Sequence, residues 1–140
     1  MFNSKKIHDP ISLFISTFNH GIKARKKYMF LPHNRLILKI IQILYEKGYI
    51  ISYKVYSSMD TRRLLSHICI WFKRYQNKEL TSTIKSYYKP SYKQHKTYQQ
   101  LHNIKQKQRC ELLLTTPSGF KWLNECLHLK IGGILLFEIT

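Results

Sequence analysis

The sequence predicts an α+β protein of two small domains, an N-terminal α-β-α-β-β unit and a C-terminal β-rich unit with a short helix. Three observations carry this. Apolar residues recur at helical spacing in two stretches of the first half. β-branched and aromatic runs, broken by polar turns, occur in both halves. A polar break at residues 74–79 parts the halves, which sets the domains at 1–78 and 79–140. The chain has 140 residues and is 44% hydrophobic, enough to pack one compact domain or two small ones.

Asp9-Pro10 reads as a helix N-cap followed by proline at the first helical position. Ile11, Phe14, Ile15 and Phe18 follow on one face, so a helix runs to about Asn19 and Gly21 closes it. Residues 22–27 form a basic loop, and Tyr28, Met29 and Phe30 a short strand stopped by Pro32. A second helix starts at His33 or Asn34, carries Leu36, Ile37, Ile40, Ile41 and Leu44 as its apolar stripe, and ends at Gly48. Residues 49–56 and 64–72 read as hairpin-paired strands around a polar turn at 57–63. In the second half, a strand ends at Leu114, a loop spans residues 115–119, and a short helix covers about 121–129. Gly132-Gly133 then turn the chain into a last strand over 135–139.

Lys and Arg number 24 against 7 Asp and Glu, a formal net charge of +17. An excess this large repels itself and implies a polyanionic partner. A basic surface kept only for solubility is the weaker account. No acid occurs between Glu79 and Glu111, an interval that mixes Lys85, Lys89, Lys93, Lys96, Lys105, Lys107 and Arg109 with Tyr87, Tyr88, Tyr92 and Tyr98. Cations meet phosphates and rings stack on exposed bases, so the mixture suits RNA. A half-buried strand set, tyrosines inward and lysines outward, explains most of the same residues. The loop Thr115-Thr116-Pro117-Ser118-Gly119 adds hydroxyls and backbone N–H groups ahead of a helix, where phosphate and ribose oxygens are well held.

Other classes fare worse. Cys69, Cys110 and Cys126 are odd in number and widely spaced, which argues against a disulfide framework or a zinc site. The seven histidines lack metal-ligand spacing, and no metal or cofactor is expected. No H-x-E, H-E-x-x-H, D-x-D or G-x-S-x-G pattern occurs, so an enzyme is not expected, nor a small-molecule substrate. The apolar runs at 131–139 and 36–44 fall far short of the roughly 20 residues that span a bilayer. The apolar helix stripes are core rather than membrane-binding faces, so no membrane partner is expected.

These residues, taken in order, resemble small-subunit ribosomal protein eight of the bacterial and organellar type. Asp9-Pro10-Ile11 with Gly21 is similar to the family's opening D-P-I-…-G segment. Pro32, Arg35-Leu36 and Tyr45-Glu46-Lys47-Gly48-Tyr49-Ile50 resemble its P-x-S-K-L and L-K-E-E-G-Y-I stretches. Ile84-Lys85 with Lys89-Pro90 resembles its S-R/K-P-G strand, and Leu101 falls where the family has a leucine in a short connecting helix. Thr115 to Gly119, with Gly132-Gly133, resembles its S-T-S-x-G loop and G-G-E turn. The likeness covers about residues 8–140 and thins between Ser57 and Leu80. Pro117, Ile134, Ser91 and His95 depart from it, as does Lys121-Trp122 after the loop.

The resemblance implies a structural constituent of the small ribosomal subunit that binds the central domain of its rRNA, supports assembly and contacts neighbouring small-subunit proteins. A different basic RNA-binding or RNA-processing factor is the alternative. Carried over, Thr115, Thr116, Ser118 and Gly119 match the RNA-facing loop, Lys89, Pro90 and Lys93 the basic strand beside it, and Gly132 and Gly133 the terminal turn. The cations Lys23, Arg25, Lys26, Lys27 and Arg35 extend the expected RNA surface into the first domain. Alanine occurs once and isoleucine 17 times, the mark of an AT-rich genome such as that of an organelle, a parasite or an endosymbiont. With the drift of the motifs and the family start near Asp9, this sets the expectation of a mitochondrial, organelle-encoded protein of the mitoribosomal small subunit.

Overall fold

The computed structural model describes residues 9–60, 63–75, 78–79, 83–107 and 110–139. The first eight residues and Arg109 of the basic interval lie outside them. The chain forms two compact units, residues 1–83 and 84–140. The mixed architecture is the predicted one, helices and strands in the first unit and a strand-rich second unit with short helices.

In the first unit, helix α1 (Pro10–Lys23) starts where Asp9 caps it: the Asp9 carboxylate accepts the Ser12 N–H at 3.0 Å and the Ser12 hydroxyl at 3.1 Å. The helix does not close at Gly21. It continues because Gly21 lies against the sheet, where a Cβ would fall 2.8 Å from the Phe72 ring and 3.1 Å from the Met29 sulfur. Glycine serves here as a contact rather than a cap. Arg25, in the left-handed region at φ 53°, makes the turn instead. Strand β1 (Tyr28–Pro32) and helix α2 (Arg35–Glu46, capped by Asn34) follow as expected.

Strands β2 (Ile50–Asp60) and β3 (Arg63–Phe72) form a longer hairpin than predicted. The polar residues 57–60 stay in the ladder, with Ser57 opposite Ser66 and Asp60 opposite Arg63. Backbone pairing needs no apolar side chain, so polarity misplaced that turn. The sheet order is β1-β3-β2, all antiparallel. Phe14, Phe18, Ile37, Ile40, Ile41, Leu44, Ile68 and Ile70 are fully buried in its core. Within the polar stretch, β4 (Arg74–Tyr75) pairs antiparallel with β5 (Lys78–Glu79).

The second unit is a sheet of β6 (Ile84–Ser86), β7 (His95–Lys96), β8 (Glu111–Thr116), β9 (Gly119–Trp122) and β10 (Gly133–Ile139). Strand β10 is central: it pairs with β8 on one side and with β6 and β7 on the other. Leu112, Leu113 and Leu114 of β8 and Leu135, Leu136, Phe137 and Ile139 of β10 are buried, as apolar runs in a central ladder require, and Glu138 is buried among them. Helices α3 (Tyr98–Lys107) and α4 (Leu123–Leu129) close the core with Leu101, Leu123 and Cys126.

Helix α3 carries Leu101, where the family resemblance implied a short connecting helix, and takes up part of the interval that a half-buried strand set would also have explained. Its start is a capping box. The Gln100 side chain accepts the Thr97 N–H at 3.0 Å, and the Thr97 hydroxyl accepts the Gln100 N–H at 3.4 Å. Helix α4 begins at Leu123, two residues later than predicted, because Lys121 and Trp122 belong to β9. Glu125 accepts the Trp122 N–H at 3.1 Å and closes its first turn.

Candidate nucleic-acid interface

The segment read as a five-residue loop is a tight hairpin. Strand β8 runs to Thr116, and Thr116 pairs with Gly119, leaving Pro117 and Ser118 as the turn. Gly119 adopts φ +102°, a conformation closed to residues with a Cβ except at a cost, so glycine is required there. The Thr116 hydroxyl donates to the Gly119 carbonyl at 2.8 Å and is buried. In this structure it therefore braces the turn. The loop also does not feed a helix directly, because β9 intervenes. Ser118 and Gly119 are exposed at the hairpin tip, and Thr115 is half-buried.

Gly132 and Gly133 bring three backbone segments together. A Cβ on Gly132 would sit 2.5 Å from the Lys96 carbonyl oxygen, and one on Gly133 would sit 2.7 Å from that of Thr115. Gly133 lies opposite Lys96 of β7, while Ile134 faces His95 on one side and Thr115 on the other. Between them opens a groove of about 640 Å³, lined by residues 95–98, 115–117 and 132–134.

The structure thus gathers Thr115, Thr116, Gly132 and Gly133 in one groove. Lys89, Pro90 and Lys93 do not line it. They occupy an exposed turn rather than a strand: the Tyr92 N–H donates to the Lys89 carbonyl at 3.1 Å, with Pro90 and Ser91 between. Proline cannot donate to a ladder, and it favours this turn position. Lys23, Arg25, Lys26, Lys27 and Arg35 are exposed in the first unit, outside the groove.

Sequence reasoning missed His95, Lys96, Thr97 and Tyr98 as groove residues. The signal was the Thr97-x-x-Gln100 capping box, which ends β7 and aims the chain along the groove wall. Of the interleaved tyrosines, Tyr98 is half-buried at the groove. Tyr87 is structural: it packs on the core, and its hydroxyl donates to Glu138 at 3.0 Å. Tyr92 is 65% exposed.

The groove wall carries Lys96 and His95 and no carboxylate. The acids of this unit are Glu111, Glu125 and Glu138. Glu125 closes helix α4, and the buried Glu138 meets Tyr87 and, at 3.8 Å, Lys85. The charged side chains that line the groove are therefore basic. Burial pushes the Cys69 thiol above its ordinary range, and burial followed by the Glu125 charge does the same for Cys126. Neither is poised as a nucleophile. Among the described residues, no three His, Cys, Asp or Glu side chains lie together to hold a metal ion.

The fold is that of a strongly basic protein with two α+β units. Comparison with known proteins gives the family. The chain belongs to the ribosomal protein S8 family, whose model matches residues 9–140. It is similar to the small ribosomal subunit protein uS8 of Coxiella burnetii, 25% identical over 134 residues, covering 96% of this chain and 99% of that protein. The uS8 of Azobacteroides pseudotrichonymphae is 25% identical over 131 residues, covering 94% and 98%. That of Baumannia cicadellinicola is 29% identical over 98 residues, covering 70% and 72%. The family is a structural class of the small ribosomal subunit, and binding rRNA is its known role.

Proposed function

We propose that this chain is a non-catalytic constituent of the small ribosomal subunit that binds the central domain of its rRNA through the second unit. The single observation that carries this reading is the groove between β7, the β8–β9 turn and the Gly132-Gly133 turn. It is positive, free of carboxylates, and built from the residues that match the family loop and terminal turn. Lys96 supplies charge for phosphates, and shape supplies position. Ser118 and Gly119 at the hairpin tip, and Lys89, Pro90 and Lys93 on their exposed turn, extend the contact outside the groove. Thr116 acts by holding the turn. The exposed cations Lys23, Arg25, Lys26, Lys27 and Arg35 add to RNA binding from the first unit.

Neighbouring small-subunit proteins complete the set of partners. We place the protein in a mitochondrial small subunit. Support comes from the AT-biased composition and from the departures from the family motifs at Pro117, Ile134, Ser91 and His95, while the relatives named above are bacterial. Titration of purified protein with a labelled central-domain rRNA hairpin tests the RNA reading. Lys96→Gln should weaken binding and lower the salt slope by roughly 0.7–0.9. Wild-type affinity and slope in that variant would remove the groove from the interface. Sedimentation of a tagged copy in organelle lysate tests the location, and absence from the organellar small subunit would overturn it.

A further inference from the structure

The first unit carries an aromatic surface that its fold does not use. Register places Tyr28 opposite Trp71, Phe30 opposite Cys69, and Pro32 opposite His67; across β3, Cys69 faces Lys54 and His67 faces Tyr56. All of these lie on one face of the β1-β3-β2 sheet. The other face takes the helices: Phe18 of α1 meets Phe72 at 5.3 Å between ring centroids, and Tyr45 of α2 meets Tyr53 at 5.6 Å. On the uncovered face Tyr28 is 51% exposed, Phe30 55% and Tyr56 42%. Three large rings left open side by side point to a binding surface.

The rings hold one another. Tyr28 and Phe30 meet edge to face at 5.7 Å and 80°, and Phe30 and Tyr56 at 6.5 Å and 60°. Such contacts fix orientation, while about half of the surface of Tyr28 and Phe30 and two fifths of that of Tyr56 stay exposed. The Lys54 ammonium lies 5.2 Å from the Tyr56 ring centroid. A groove of about 470 Å³ runs beside edge strand β1, lined by His20, Lys26, Lys27, Tyr28 and Phe30 among others. The basic loop that borders it is anchored: the Lys26 carbonyl accepts from the Arg74 guanidinium at 2.8 Å, and the Lys27 carbonyl accepts the Phe72 N–H at 3.0 Å. Lys26 and Lys27 therefore share a groove with Tyr28 and Phe30, and Lys54 lies over Tyr56. None of the paired positions from Tyr28 to Pro32 on this face, nor those opposite them, is a carboxylate.

We propose that this face is a second RNA surface, which stacks unpaired bases of a single strand on Tyr28, Phe30 and Tyr56. Lys26, Lys27 and Lys54 hold its phosphates. A duplex hides its base faces, so the ligand is single-stranded. Rings flanked by cations, with no acid at the positions paired with Tyr28 to Pro32, match bases joined by phosphates better than they match a protein surface. The inference rests on the reading that the chain binds RNA, but it uses another unit and other residues than the groove.

The test titrates the full chain with a labelled oligouridylate and, separately, with the central-domain rRNA hairpin. Phe30→Ala and Tyr56→Ala should each weaken oligouridylate binding by about tenfold and leave hairpin affinity unchanged. Phe30→Leu keeps apolar area but no ring, and should lose as much as Phe30→Ala. Lys54→Gln should lower the oligouridylate salt slope by about 0.7. If Phe30→Leu binds oligouridylate as tightly as wild type, stacking is refuted. If the ring variants keep oligouridylate affinity yet leave the ribosomal subunit, the face docks protein and the proposal falls. Loss of hairpin binding by wild type, with oligouridylate binding intact, would sink the groove reading alone.

Discussion

Replacing Gly132 by alanine tests how the groove is built. A Cβ there would lie 2.5 Å from the Lys96 carbonyl oxygen and 3.2 Å from the Thr97 Cα. An unstrained carbon-to-oxygen contact needs about 3.3 Å, so the new methyl is about 0.8 Å too close. The obstacle is backbone, part of the β7–β10 ladder and of the α3 cap, and it cannot rotate away. Forced overpacking of this kind costs about 1–3 kcal/mol. We place Gly132→Ala toward the upper end, because Lys96 and Thr97 must shift together. For a unit of residues 84–140 that corresponds to a fall in melting temperature of roughly 20 °C.

Trp122 belongs to this unit and Trp71 to the other, so urea unfolding followed in a Trp71→Phe background reads the second unit alone. Gly119→Ala is the control. Nothing stands within 4 Å of its Cβ position, and the cost there is only that of φ +102°, about 1–2 kcal/mol. Unfolding of Gly132→Ala at the wild-type urea midpoint, with unchanged slope, would show that β7 does not pass over Gly132. The groove as described would then be wrong.

Thr116→Val keeps the shape and loses the bond to the Gly119 carbonyl, so it should cost about 1 kcal/mol of stability; a loss of RNA affinity without loss of stability would make its hydroxyl a direct contact after all. Leu101→Ala, at a fully buried position between α3 and the sheet, should cost about 2–5 kcal/mol in the same urea assay; a cost under about 1 kcal/mol would deny that α3 closes the core. Cys69 and Cys126 should resist thiol reagents in the folded chain and react once it unfolds. Their raised thiols stay protonated when folded, so above the ordinary value of 9.0 the unfolded chain releases protons that the folded one keeps. Stability from this source is present below that pH and lost as pH rises past it; flat alkaline stability with fast native thiol modification would contradict the burial.

The sequence by itself determined the fold class, the order of the large elements and the sign of the partner. Those follow from local causes: apolar spacing in α1 and α2, the Asp9-Pro10 and Asn34 caps, the apolar runs of β8 and β10, and the charge excess. Only the tertiary structure decided what each glycine and hydroxyl does. Gly21 looked like a helix stop and is a contact with Phe72; Thr116 looked like an open donor and is spent on Gly119. His95 and Lys96 enter the groove because β7 pairs with β10, some 40 residues away in the chain and invisible to any local pattern. The three open rings of the first unit meet for the same reason: strand register, set by long-range backbone pairing, chooses which side chains share a face.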